Sequence, residues 1–286
     1  MEFYLRNRVN QNEILAKKAL VQEYKNTQTI FIGNSHGRNA FIPQLIDSSA
    51  LNLCIGGSIA YYDAYFFKEV LKELPKLKYL IYNISYQTLY YDLELLEDKR
   101  KKYEFFNYLG VDAGVRKSSP NNWSTLCTIG LYGGVQNLIS DYFGENTDWA
   151  QTMGYKPESE MIDLDKIQES AQARLSIHHS IMSQQELPDN LACLQAMQDL
   201  ADANDVKIIY ILLPVIKAYQ DGWDYKYKDF ERLSKQFADE NNATLINLSD
   251  SLKLTDHHFV DPDHLNSIGA QKVSEFIYTY FKDNNY

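Results

Sequence analysis

The chain is poor in the features that would commit it to a metal ribbon, a nucleic acid or a membrane. Its three cysteines, Cys54, Cys127 and Cys193, are odd in number, far apart and free of any Cys-x-x-Cys pair, which excludes a disulfide framework and a zinc ribbon. Positive charge is short: 28 Lys and Arg stand against 38 Asp and Glu, a net charge of −10. A broad phosphate-binding surface needs clustered Lys and Arg, so no nucleic-acid partner is expected. The local run Asp98-Lys99-Arg100-Lys101-Lys102 reads as a solvated helix face. No apolar run reaches the roughly 18 residues of a membrane span, and the N-terminus lacks the charged-then-apolar order of a signal peptide. No span is therefore expected in this chain, which reads as soluble.

What is present is an alternation. Buried-strand patterns at 29–32, 50–55, 79–84, 206–213 and 243–248 are separated by helical patterns at 61–74, 190–204 and 225–241. Such alternation implies right-handed crossovers and a parallel sheet covered on both faces. We expect a three-layer α/β/α sandwich with a five-stranded, flavodoxin-like parallel sheet, in a single domain over residues 1–286. Residues 11–25 have apolar positions at helical spacing and suit a surface helix packed ahead of the first strand. Between about residues 90 and 188 the alternation breaks, which predicts a large insertion after strand three. That insertion is expected to form a cap, with Trp123, Tyr132, Tyr142 and Trp149 as candidate ligand platforms or as the cap's own core. The adjacent pair His178 and His179 suits surface or local hydrogen-bonding roles better than one shared metal. The 22 tyrosines could build a sugar-facing surface, though many must be core and boundary residues.

Chemistry concentrates at the two ends. The first strand runs into Gly33-Asn34-Ser35-His36-Gly37, which either caps the next helix or delivers Ser35 to the carboxyl edge of the sheet, where open α/β folds place their chemistry. Near the C-terminus stands Asp261-Pro262-Asp263-His264-Leu265-Asn266, followed by Gly269. A serine hydroxyl needs a neighbouring imidazole as base, and the imidazole needs a carboxylate to orient it. Ser35, His264 and Asp261 supply those three parts. The crowd of Asp256, His257, His258, Asp261, Asp263 and His264 also admits a metal site. It has no fixed helical ligand spacing, and its Asp-x-x-His order is accounted for by the triad, so neither metal nor cofactor is expected.

On these blocks the chain resembles the SGNH hydrolase family, also called GDSL-like. Gly33-Asn34-Ser35-His36 matches its first block, and Asp261 with His264 matches its last. The resemblance implies Ser35 as nucleophile, His264 as base then acid, and Asp261 as orienter. It further implies an oxyanion hole built from the backbone N–H groups of Ser35 and of Gly57, in the second block Asn52-Leu53-Cys54-Ile55-Gly56-Gly57. The family's third block, Gly-x-Asn-Asp, is missing. Gln87 falls where its Asn would lie, with Asn83 and Ser85 as rivals and a hole of two backbone donors as the alternative. The implied function is a serine esterase or O-acyltransferase acting on O-acyl groups, O-acetyl above all, of a carbohydrate or cell-surface glycan, with a small-molecule or glycan ester as substrate. The alternative is a glycan-binding or assembly protein that keeps the hydrolase shell. Members of the family often carry an N-terminal membrane anchor. This chain is accordingly either cytoplasmic or the soluble part of an anchored extracytoplasmic protein, for which a membrane acyltransferase is a conceivable partner.

Overall fold

The computed structural model describes residues 12–92, 95, 100–111, 148–284 and 286. Helix α1 (Glu13–Glu23) is capped by Asn12, whose side-chain oxygen accepts the Leu15 N–H at 3.1 Å. It is followed by β1 (Thr29–Ile32), buried at every position, and by α2 (Ser35–Ala40). The chain continues through β2 (Leu51–Asn52), α3 (Ala60–Glu73), β3 (Tyr79–Ile84), α4 (Tyr86–Tyr90) and α5 (Arg100–Leu109). After the insertion come α6 (Ile167–Ser180), α7 (Leu187–Asp202), β4 (Lys207–Leu212), α8 (Lys217–Gly222), α9 (Tyr225–Glu240), β5 (Thr244–Asn247) and α10 (Ser267–Asp283).

The five strands form one sheet in the order β2-β1-β3-β4-β5, and every pairing is parallel. With helices on both faces this is the expected α/β/α sandwich of flavodoxin-like topology. Helix α10 packs on α2 and α3 packs on α7. The strands are rich in Ile, Leu and Tyr because both faces are covered. Ile30, Phe31 and Ile32 have no exposure, and each buried side chain of this size contributes about 1.5–3 kcal/mol. Strand β2 is shorter than the expected 50–55. Its edge position explains this: Asn52 N–H donates to the Met153 carbonyl at 2.9 Å, while Leu53 and Ile55 N–H groups still bond Phe31 and Gly33 carbonyls at 2.8 and 2.9 Å. A segment of the insertion thus covers the sheet edge.

Strand order reverses about β1: the chain leaves it for β2 on one side and returns to β3 on the other. A crevice opens at the carboxyl ends of the strands at such a switch point. The insertion lies between the adjacent strands β3 and β4, and its ends meet at an antiparallel bridge between Tyr91 and Met182. Its helix α6 packs on α8. Trp123, Tyr132, Tyr142 and Cys127 lie outside the described residues, as do Asp98 and Lys99. Trp149 is core rather than platform: it is buried, with Lys17 Nζ 4.6 Å from its ring centroid. Lys102 departs from the expected solvated face, being 5% exposed.

Candidate active site

Ser35 occupies the first position of α2, just past the turn that ends β1. Asn34 makes the turn: its side-chain oxygen accepts the His36 N–H at 3.0 Å, and its amide donates to Ser85 Oγ at 2.7 Å. Capping by Asn34 and presentation of Ser35 are therefore both realised. The opposing loop is closed by a bridge between Phe259 and Leu265 and by Val260 N–H donating to the His264 carbonyl at 3.0 Å. Asn266 caps α10, accepting the Ile268 and Gly269 N–H groups at 3.1 Å, and its amide donates to the His257 carbonyl at 2.8 Å. Gly269 permits the close approach of helix and loop, since a Cβ there would lie 2.3 Å from the His258 carbonyl oxygen.

These devices fix where His264 emerges. Its Nε2 lies 2.8 Å from Ser35 Oγ, and its Nδ1 lies 2.9 and 3.0 Å from the two Asp261 oxygens. Asp261 also accepts the backbone N–H groups of Asp263 and His264 at 3.0 and 2.8 Å, an Asx turn that holds its carboxylate against the ring. The three residues chosen from the sequence meet in one hydrogen-bonded chain.

Because Ile55 N–H bonds the Gly33 carbonyl, the Gly56-Gly57 turn lies beside the Ser35 turn. Gly57 has φ +71°, a left-handed backbone that a side chain would strain. Glu13 Oε2 accepts the Gly56 N–H at 3.1 Å and stands 3.4 Å from Arg38 Nη1. Gln87 departs from the expectation. Its Nε2 turns to a buried polar cluster, 3.3 Å from His178 Nδ1, 3.4 Å from Asp263 Oδ2 and 3.5 Å from both His36 Nε2 and Tyr219 Oη. The physical reason is local: Ser85 and Thr88 form a capping box that starts α4 at Tyr86, so Gln87 belongs to a helical turn rather than to an open loop. The rivals are engaged in scaffolding, Ser85 in that cap and fully buried Asn83 in accepting the Gly37 N–H at 3.1 Å.

Behind His264 lies the part that sequence reasoning missed. Asp263, whose side chain has no exposure, binds Arg174 through two contacts, Nε to Oδ1 at 2.7 Å and Nη2 to Oδ2 at 3.3 Å. It also receives His36 Nε2 at 2.9 Å on Oδ2 and stands 3.5 Å from His264 Nδ1. His178, for which a surface or a local hydrogen-bonding role was expected, is buried and hydrogen-bonded, with Nδ1 2.5 Å from Tyr219 Oη. The available signal was spacing: Arg174 and His178 are four residues apart and share one face of α6, while His36 and Asp263 directly flank the nucleophile and the base.

Burial pushes His178 down to about 3 and lowers His36 as well, so both rings are neutral. Burial also acts to lower His264, but Asp263 and Asp261 outweigh it and hold the ring up at about 9. Burial works to raise Asp263, yet His264 and His36 keep its carboxyl well below the usual range. Three ligand atoms of His36, Asp263 and His264 lie within 4.8 Å of one another. Arg174 already places a fixed positive charge on both oxygens of Asp263, so this donor set suits an ion pair and not a cation. His258 Nδ1 bonds locally to Thr255, and exposed His257 has Nδ1 3.1 Å from Met161 Sδ.

No protein-family model matches the chain, and no curated protein does. Among solved structures it is similar to a GDSL-like lipase from Bacteroides thetaiotaomicron, at 11% identity over 95% of each chain with a TM-score of 0.46. It is also similar to a proposed acylhydrolase from Bacteroides fragilis, at 14% identity over 91% of this chain and 88% of that one, with a TM-score of 0.45. Likenesses this distant assign no activity, and the chemistry must be read from the side chains.

Proposed function

We propose that the chain is a serine esterase or O-acyltransferase of the SGNH type. The observation that carries this reading is the continuous chain Ser35 Oγ, His264 Nε2, His264 Nδ1, Asp261, with links of 2.8 and 2.9 Å. In the proposed reaction Ser35 Oγ bonds to the acyl carbon as its proton passes to neutral His264. Asp261 accepts from Nδ1 and fixes the tautomer. Charge developing on the carbonyl oxygen falls to the backbone N–H groups of Ser35 and Gly57. His264 then protonates the departing alkoxide, leaving acyl-Ser35. Water or a sugar hydroxyl attacks next, giving its proton to His264, and as the acyl–Oγ bond breaks His264 returns that proton to Ser35 Oγ, regenerating the hydroxyl and the neutral ring. The substrate class we favour is an O-acetylated carbohydrate or glycan. Support comes from the family resemblance of the two motif blocks.

The test is covalent capture. A fluorophosphonate probe should add to Ser35, located by peptide mass spectrometry, and Ser35→Ala should abolish the adduct. Release of acetate from a chromogenic ester, measured with and without an acceptor sugar, separates hydrolysis from transfer. Failure of every activated ester and of the probe to modify Ser35 would leave the reading without support.

A further inference from the structure

We infer that Asp263, clamped by Arg174 from the inserted helix, is a positioning residue that serves His264 as a second carboxylate alongside Asp261. The inference rests on the reading of His264 as the base for Ser35. Two carboxylates approach the same ring nitrogen, Asp261 at 2.9 Å and Asp263 at 3.5 Å. Distance alone favours Asp261. Exposure reverses the ranking, because the Asp261 side chain is 40% exposed and that of Asp263 is 0% exposed. A charge facing water is screened, whereas a charge sealed in the interior acts through a lower effective dielectric. Asp263 is therefore the stronger electrostatic partner of the imidazolium, and Asp261 the stronger geometric one.

Each group facing this carboxylate has a defined part. Arg174 holds it in place with two N–H donors. His36 Nε2–H donates to Oδ2, so that neutral ring orients the carboxylate without adding charge. Neutral His178 and Tyr219 close the cluster against α8, with the Gln87 amide among them. Through Arg174 the insertion reaches the base, and the field on His264 depends on where α6 sits.

The experiment is an NMR titration of histidine side chains labelled with ¹³C and ¹⁵N, with His264→Asn assigning the resonance. Asp263→Asn should lower the His264 midpoint by about one to three units, a shift at least as large as that from Asp261→Asn. Asp263→Asn leaves Arg174 buried without its anion, so Asp263→Asn/Arg174→Gln, a neutral pair of similar shape, is titrated in parallel and should also lie below the wild-type midpoint. An unchanged midpoint in a folded Asp263→Asn or double variant, with Asp261→Asn lowering it, overturns the inference and leaves Asp261 as the sole carboxylate. Fluorophosphonate labelling of the same samples separates the two failures. A wild-type chain that never labels at Ser35 sinks the hydrolase reading, while the titration still decides what Asp263 does to His264.

Discussion

A histidine can take a proton from Ser35 only when its Nε2 is free, and the two carboxylates that steady His264 also keep it protonated. Its folded value of about 9 means that at neutral pH most molecules carry an imidazolium and only a minor fraction the neutral ring that the proposed reaction uses. The sign follows directly: kcat/KM for an ester should climb about tenfold per pH unit from 7 to 8 and level off above about pH 9. A flat profile over that range would show that the free protein holds His264 neutral. At this scale the sequence was informative about identity and weak about surroundings. Ser35, His264 and Asp261 could be named because the chemistry demands those residue types in turns after a strand or before a helix. Arg174 could not, because it is joined to Asp263 only by folding across 89 residues. Gln87 was misread because strand counting put it at the oxyanion position, while the capping box of Ser85 and Thr88 had already started a helix there.

Among the elements, α1 has a role its amphipathic pattern did not suggest. It was expected to be a surface helix, yet it sends Glu13 to the Gly56 N–H and buries Lys17 completely, with Nζ donating to the Asn52 carbonyl at 2.7 Å and to the Gly154 carbonyl. Arg38 joins from α2. One helix thus ties the Gly56-Gly57 turn to the turn that carries Ser35, and the proposed hole of backbone donors there would have little tolerance for displacement. Glu13→Ala should remove the acceptor for Gly56 and leave Arg38 with a weaker partner, costing about 1–3 kcal/mol in urea denaturation. Its effect on rate should be larger in proportion, because a misplacement near 1 Å can cost on the order of 100-fold. A variant that loses stability while keeping kcat would show that the turn holds its shape without α1. Strand and helix order were legible because apolar runs and periodicity are local signals. A cap was expected where that alternation breaks, but the contact that ties α6 to the histidine loop was not legible, since Arg174 looks like ordinary helix surface.

For the molecule as a whole, the site ought to leave its mark on stability. His264 binds its proton more tightly folded than unfolded, so its contribution is fully present below the unfolded value of about 6.5 and is lost as pH rises through about 9. Two other buried groups titrate nearby with opposite signs. Burial raises Asp63 to about 7 despite its bonds from Ser58 and Tyr82, so the fold loses stability as Asp63 ionises. Burial lowers Lys17 to about 8, so the fold gains as it deprotonates there. Near pH 7.5 the remaining proton on Asp63 and the partial deprotonation of Lys17 offset each other. What is left is roughly 0.9 proton held by the folded state through His264, less roughly 0.1 proton each on the unfolded His36 and His178, whose folded rings are neutral, a slope of about −1 kcal/mol per pH unit. Urea unfolding at pH 7 and 8 should therefore show a loss of about 1 kcal/mol in the wild type and little loss in His264→Asn. An equal slope in both proteins would place the proton elsewhere. Should the slope follow His264 and the kcat/KM profile rise across the same interval, one deprotonation would both free the base for Ser35 and loosen the ion-pair cluster that joins the insertion to the sheet.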